Sequence, residues 1–129
     1  MMSKGKKILA VDDENDILLI VKTALMSEGF DVTTASSGED AVAAAKEFQP
    51  DLVILDLMMP GMDGLATLAE LRKLKSTAST PVLMLTGVSE RKVIINALNK
   101  GVAHYIVKPF ECDELIAKVK TTLKEAAEA

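Results

Sequence analysis

The feature that most constrains the fold is a regular alternation of short apolar runs with longer segments of helical period. Near-continuous apolar runs are typical of parallel strands covered on both faces, and they occupy residues 7–11, 51–55, 81–85 and 105–107. A more polar run at residues 31–35 predicts an edge strand. The sequence therefore predicts five strands.

Segments of helical period follow each strand. We expect helices over residues 14–28, 36–48, 65–75, 90–100 and 112–126. Ser36 and Glu39 have capping-box spacing at the start of the second helix, and Gly29 stands where the first should end.

In the fourth helix we expect Ile94, Ala97 and Leu98 to form the buried stripe. Val93 and Ile95 lie about 200° apart around the helix axis. At least one of them should therefore reach the surface.

Strictly alternating strands and helices with short connections predict right-handed crossovers. The expected fold is a doubly wound α/β domain, a parallel sheet with helices on both faces. The 129 residues allow one domain, which we place at residues 1–129 with a core of about 6–126. Ligands of such folds bind beyond the carboxyl ends of the strands.

Composition excludes several classes of partner. Acidic residues outnumber basic ones by 19 to 15, and the chain has no Trp and one Tyr. These values argue against binding to nucleic acid by this domain, or to an anionic membrane. Cys112 is the only cysteine and the basic N-terminus lacks an apolar signal segment, so we expect a cytoplasmic protein.

Reactive side chains stand at the ends of four predicted strands. The first ends in Val11-Asp12-Asp13-Glu14, and Asp56, Thr86 and Lys108 follow or end the third, fourth and fifth. Because parallel strands end at one edge of a sheet, these groups should converge. Asp12, Asp13, Asp56 and Lys108 together leave two negative charges, which a divalent cation would neutralise. Oxygen ligands favour Mg²⁺, with Mn²⁺ as an alternative.

Such a site suits phosphoryl chemistry. A carboxylate such as Asp56 can attack phosphorus and form an aspartyl phosphate. Lys108, the Thr86 hydroxyl and a nearby backbone N–H, that of Gly87, could stabilise the transferred group.

The ordered set of motifs resembles the receiver domain of two-component response regulators. It comprises Val11-Asp12-Asp13-Glu14, Leu55-Asp56-Leu-Met-Met-Pro60-Gly-Met-Asp-Gly64, Leu85-Thr86-Gly87 and Tyr105-Ile-Val-Lys108-Pro109-Phe110. The resemblance implies a flavodoxin-like (βα)5 fold with strand order 2-1-3-4-5. It also implies that Asp56 accepts phosphate from a histidine kinase or phosphotransfer protein.

The resemblance further implies roles for individual residues. Mg²⁺ would be held by Asp13, Asp56 and the backbone carbonyl of Met58, with Asp12 acting largely through water. Lys108 would pair with the phosphate, and its peptide bond to Pro109 would be cis.

A conformational switch is also implied by the resemblance. Thr86 would move toward the phosphate and Tyr105 would turn inward, which changes the surface of helix four, strand five and helix five. We expect a signalling domain rather than an enzyme, a monomer or phosphorylation-dependent dimer that acts on an unknown output protein or attached output domain.

Two positions depart from the pattern of the single-domain chemotaxis regulators. Met58 and Val88 stand where that subfamily has polar residues, beside the entry for attacking water. We hypothesise that these apolar side chains alter dephosphorylation.

Three alternatives compete with this interpretation. A flavin or nucleotide binder is disfavoured because the first loop has no glycine-rich phosphate-binding pattern. A phosphatase with an aspartate nucleophile is disfavoured because such enzymes have a second Asp two residues after the first, where this chain has Met58. A degenerate receiver would act as a phosphorylation-independent binding module, against which the complete set of acceptor residues argues.

Overall fold

The computed structural model describes residues 5–129, so residues 1–4 of the basic N-terminal segment lie outside it. Five strands form one sheet in the order β2-β1-β3-β4-β5, and every adjacent pair is parallel. The strands are β1 (Lys7–Val11), β2 (Asp31–Ala35), β3 (Leu52–Leu55), β4 (Val82–Thr86) and β5 (His104–Val107). The predicted fold class and strand order are confirmed, and the polar β2 is an edge strand.

One helix follows each strand. The helices are α1 (Asn15–Met26), α2 (Gly38–Phe48), α3 (Gly64–Lys73), α4 (Arg91–Asn99) and α5 (Cys112–Glu128). A short 3₁₀ turn, Lys75–Thr77, follows α3 where the third helix was expected to end. Within residues 5–129, the helices are too short or too polar to cross a bilayer.

Alternating strand residues divide the core between the two faces of the sheet. Leu9 and Val11 of β1 pack with α2, α3 and α4, whereas Ile8 and Ala10 pack with α1 and α5. The apolar strands are thus buried on both faces, as their continuous apolar runs predict.

Local capping signals set two helix starts. The hydroxyl of Ser37, not Ser36, caps α2 by accepting a hydrogen bond from the Asp40 N–H at 3.0 Å. Ser37 has the extended backbone of an N-cap, so the capping box expected from Ser36 and Glu39 is displaced by one residue. Asp63 caps α3 in the same way, accepting from the Ala66 N–H at 2.8 Å.

Helix α4 is rotated relative to the expected stripe. Ala97 is buried and Val93 packs against the core, but Leu98 is 43% exposed. Ile95 is also exposed, as the angular argument required for one of the two residues. Periodicity alone misplaced part of the buried face because apolar residues cover about half of the circumference of this helix.

Cys112 is exposed, and not half-buried as its residue type favours. It begins α5, where Leu115 and Val119 occupy the buried face.

Gly64 anchors the loop between β3 and α3. Its N–H donates to the carbonyl of Leu57 at 2.8 Å, and an added Cβ would lie 2.7 Å from the Leu57 Cα and even closer to the Asp56 carbonyl oxygen. Both neighbours are backbone atoms, so they cannot rotate away. The loop after Asp56 therefore needs glycine at this position.

Substituting Gly64 by alanine is expected to lower the free energy of unfolding by about 1–3 kcal/mol, because the backbone after Asp56 must shift. Urea denaturation followed by circular dichroism measures this change. Gly87→Ala is the matched control, since a Cβ there meets open space. Equal stability of the two variants would contradict the steric argument.

Candidate functional site

Four strands deliver polar side chains to one edge of the sheet. Asp12 follows β1, Asp56 follows β3, Thr86 ends β4 and Lys108 follows β5. Asp12 and Asp56 are only 3% and 4% exposed, and Thr86 is fully buried. The structure therefore brings together the residues that the strand-end argument singled out.

Strand register explains why the two buried carboxylates are neighbours. Val11 of β1 pairs with Leu55 of β3, and the Asp56 N–H donates to the Val11 carbonyl at 3.0 Å. The residues that directly follow this pair, Asp12 and Asp56, must then lie side by side.

The same logic places the lysine. Thr86 pairs with Val107, and the Lys108 N–H donates to the Thr86 carbonyl at 2.8 Å. The peptide bond between Lys108 and Pro109 is cis, as expected from the resemblance.

Three carboxylates form a group that could hold a metal ion. One oxygen from each of Asp12, Asp13 and Asp56 lies within 4.8 Å of the other two. The Asp12 Oδ1 accepts a hydrogen bond from the Glu14 N–H at 2.9 Å, which orients this carboxylate. The donor set consists of hard oxygen atoms, so it fits a hard divalent cation such as Mg²⁺.

The Lys108 ammonium group contacts three carboxylates. Its Nζ lies 2.7 Å from Asp12 Oδ2, 3.2 Å from Glu14 Oε1 and 3.4 Å from Asp56 Oδ2. Burial by itself lowers the pKa of Lys108, but the hydrogen bond and charge of Asp12, the charge of Asp56 and the bond to Glu14 outweigh it and raise the pKa. Lys108 is thus held as a cation.

The surroundings of Asp12 disfavour its ionised form. Burial raises its pKa above the usual range, and the negative charge of Asp56 adds to the rise. Hydrogen bonds from Lys108 and from the Glu14 N–H oppose this rise. A further cation in the site would favour the ionised form of Asp12 in the same direction as Lys108.

An open cleft of ≈ 330 Å³ lies above these groups. Eight residues line it: Asp13, Glu14, Asp56, Met58, Thr86, Gly87, Val88 and Lys108. Its walls combine carboxylates, an ammonium group and a hydroxyl with the side chains of Met58 and Val88. Such a cleft can admit a small charged group to the Asp56 carboxylate.

Thr86 and Tyr105 are linked through the segment after β4. The Val88 N–H donates to the Thr86 Oγ1 at 3.5 Å, and the Tyr105 hydroxyl donates to the Val88 carbonyl at 2.7 Å. Tyr105 packs against the core, and burial together with the charge of Asp56 raises the pKa of its hydroxyl. The segment after β4 therefore contacts the site on one side and Tyr105 on the other.

Glu14 is the site residue that sequence reasoning did not single out. It was part of the first motif but received no role of its own, although it lines the cleft and contacts Lys108. Its position directly after two strand-end acids was the available signal. The side chain is exposed, so nothing in the apolar pattern marks it.

Comparisons with known proteins agree with this geometry. The family model described as "Response regulator receiver domain" matches residues 8–120. A probable transcriptional regulator, ycf27 of Porphyridium aerugineum, is 42% identical over 96% of this chain and 50% of its own length. The DNA-binding response regulator MtrA of Mycobacterium tuberculosis is 37% identical over 96% of this chain and 53% of its own. The chain spans about half the length of these curated relatives.

Solved structures show the same architecture in both short and long chains. The chemotaxis protein CheY4 of Vibrio cholerae has a TM-score of 0.87 at 31% identity, covering 92% of this chain and 98% of its own. NtrX of Brucella abortus has a TM-score of 0.88 at 35% identity, covering 95% of this chain but 28% of its own. Because the family model matches most of this chain, the chain belongs to the response regulator receiver domain family.

Proposed function

We propose that Asp56 accepts a phosphoryl group from a histidine kinase or phosphotransfer protein, and that the receiver domain spans residues 1–129 with a core of about 6–126. The observation that carries this proposal is the position of the Asp56 carboxylate. It opens into the cleft, belongs to the oxygen cluster suited to a divalent cation, and lies beside the Lys108 ammonium group. Receiver domains are signalling domains and not classical enzymes, so any catalysis by this chain would concern its own phosphorylation and dephosphorylation.

In the proposed step, a carboxylate oxygen of Asp56 attacks the phosphorus atom of the donor. A new O–P bond forms while the bond from phosphorus to the donor nitrogen or oxygen breaks, and the leaving group keeps that electron pair. Asp56 is suited to this role because the Met58 N–H donates to its Oδ1 at 3.3 Å and Lys108 lies beside its Oδ2, which fixes the carboxylate.

The acidic cluster would hold Mg²⁺, with Mn²⁺ as a substitute. Asp13, Asp56 and the backbone carbonyl of Met58 are the proposed direct ligands, and Asp12 would act largely through water. When bound, the ion would offset the negative charge that the carboxylates and the phosphoryl oxygens share.

Three further groups would contact the transferred phosphate. Lys108 supplies a positive charge, and the Thr86 hydroxyl and the Gly87 N–H supply hydrogen-bond donors at the end of β4. Gly87 is exposed on the lining of the cleft, so its backbone is accessible to such a ligand.

Phosphorylation would be communicated through Thr86 and Tyr105. A shift of the Thr86 hydroxyl toward the phosphate would move the segment whose Val88 carbonyl holds the Tyr105 hydroxyl. The affected surface comprises α4, β5 and α5, where Ile95 and Leu98 are exposed apolar side chains. Its partner would be an output protein or an attached output domain, as the greater length of the regulator relatives suggests.

Asp56→Ala is expected to abolish phosphorylation. The wild-type chain incubated with Mg²⁺ and acetyl phosphate should gain one phosphoryl group that hydroxylamine removes, and the variant should gain none. Intact-mass spectrometry measures both. A wild-type chain that stays unmodified with acetyl phosphate and with phosphorylated kinases would instead support the phosphorylation-independent binding module.

Asp13→Asn is expected to weaken Mg²⁺ binding at least about tenfold without unfolding the protein, because it removes an exposed carboxylate from the oxygen cluster. Isothermal titration calorimetry with Mg²⁺ measures the affinity. Asp113→Asn on α5 removes the same charge outside the cleft and should bind Mg²⁺ as the wild type does. Similar affinities for both variants would rule out Asp13 as a ligand.

Met58→Asn and Val88→Glu are expected to change the lifetime of the phosphorylated state, because polar side chains at the cleft would alter the approach of water to the aspartyl phosphate. Met58 is 65% exposed at the cleft, so its substitution leaves the core intact. Loss of the phosphoryl mass over time gives the lifetime. Unchanged lifetimes in both variants would show that neither side chain controls water entry.

A further inference from the structure

Glu14 occupies a distinctive place in the cleft. It is the third consecutive acid at the end of β1, and its Oε1 lies 3.2 Å from the Lys108 Nζ. The group of carboxylates placed to share a metal ion comprises Asp12, Asp13 and Asp56. Among the described residues, Glu14 is thus a carboxylate of the cleft that contacts the lysine without belonging to the metal-binding group.

The contacts of Lys108 differ greatly in burial. Asp12 and Asp56 have side chains that are 4% and 6% exposed, whereas the Glu14 side chain is 63% exposed. Exposed ion pairs are weak and exchange readily with water. Glu14 is therefore the partner that Lys108 can release at the smallest cost when another anion arrives.

We propose that Glu14 is a positioning residue that competes with the phosphoryl group for Lys108. This inference rests on the proposed phosphoryl acceptance by Asp56. Before phosphorylation, Glu14 shares the ammonium group with Asp12 and holds it toward the mouth of the cleft. An incoming phosphoryl group must displace Glu14 from Lys108 and approach against its negative charge.

The charges of the cleft show why this competition matters. Four carboxylates, those of Asp12, Asp13, Glu14 and Asp56, face one ammonium group, so a bound divalent cation leaves one negative charge in excess. Without Glu14 the metal-loaded cleft would be neutral. Glu14 thus opposes entry of an anionic donor and, through its own negative charge and its share of the Lys108 ammonium group, favours entry of a cation.

Glu14→Gln should therefore raise the rate of phosphorylation and lower the affinity for Mg²⁺. At low ionic strength, we expect acetyl phosphate with saturating Mg²⁺ to phosphorylate the variant about three- to fivefold faster than the wild type, and Mg²⁺ alone to bind about three- to fivefold more weakly. Intact-mass spectrometry gives the first quantity and calorimetry the second. A purely structural role would not move the two in opposite directions.

Two further variants separate pairing from charge. Asp16→Asn on α1 removes the same charge from an exposed residue outside the cleft lining and should change neither quantity by more than about twofold. Glu14→Asp keeps the charge but shortens the side chain, which weakens its contact with Lys108. Acetyl phosphate should therefore phosphorylate this variant at a rate between those of the wild type and Glu14→Gln.

Several outcomes would overturn the inference. If Glu14→Gln behaves like Asp16→Asn in both assays, Glu14 has no specific role. If Glu14→Asp is phosphorylated at the wild-type rate, the charge of residue 14 acts without competition for Lys108. If the wild type itself accepts no phosphoryl group, the proposed function fails. The calorimetric comparison then still decides whether Glu14 favours entry of a cation into the cleft.

Discussion

The pairing of β1 with β3 is the constraint on which the site depends. Val11 lies opposite Leu55, and an aspartate directly follows each of these residues. The register of the two strands therefore forces the carboxylates of Asp12 and Asp56 together in a buried position. A shift of one residue in this register would exchange the two faces of the strand, so the apolar cores on both sides oppose it. Hydrophobic packing thus maintains an electrostatic arrangement that would otherwise be unfavourable.

The cost of gathering these carboxylates is offset mainly by Lys108. Its ammonium group arrives from β5, at the edge of the sheet, and reaches across to Asp12 and Asp56. A lysine offers one compact charge on a flexible stem, so it can change partners without any movement of the backbone. The site therefore combines buried carboxylates that follow central strands with one ammonium group that follows the edge strand.

Sequence patterns predicted the parallel sheet and the residues at the strand ends, because continuous apolar runs and the Asp12, Asp56, Thr86 and Lys108 motifs are local signals. The strand order came only from the resemblance to receiver domains. The orientation of α4 was mispredicted in part. Ala97 is buried as expected, but Leu98 is exposed and Val93 packs against the core, because apolar residues cover about half of the helix circumference and only packing against the sheet selects the buried side. The contact between Glu14 and Lys108 also escaped prediction. It joins residues 94 positions apart through an exposed side chain that no periodicity marks.

The Lys108-Pro109 pair has a consequence beyond phosphoryl chemistry. β5 is an edge strand of four residues, and an exposed edge invites another chain to add to the sheet. Proline has no N–H to donate, and the charged lysine before it must stay beside the carboxylates, so the ladder cannot extend past Val107. The dipeptide that serves the cleft thus also limits the open edge of the sheet to four residues.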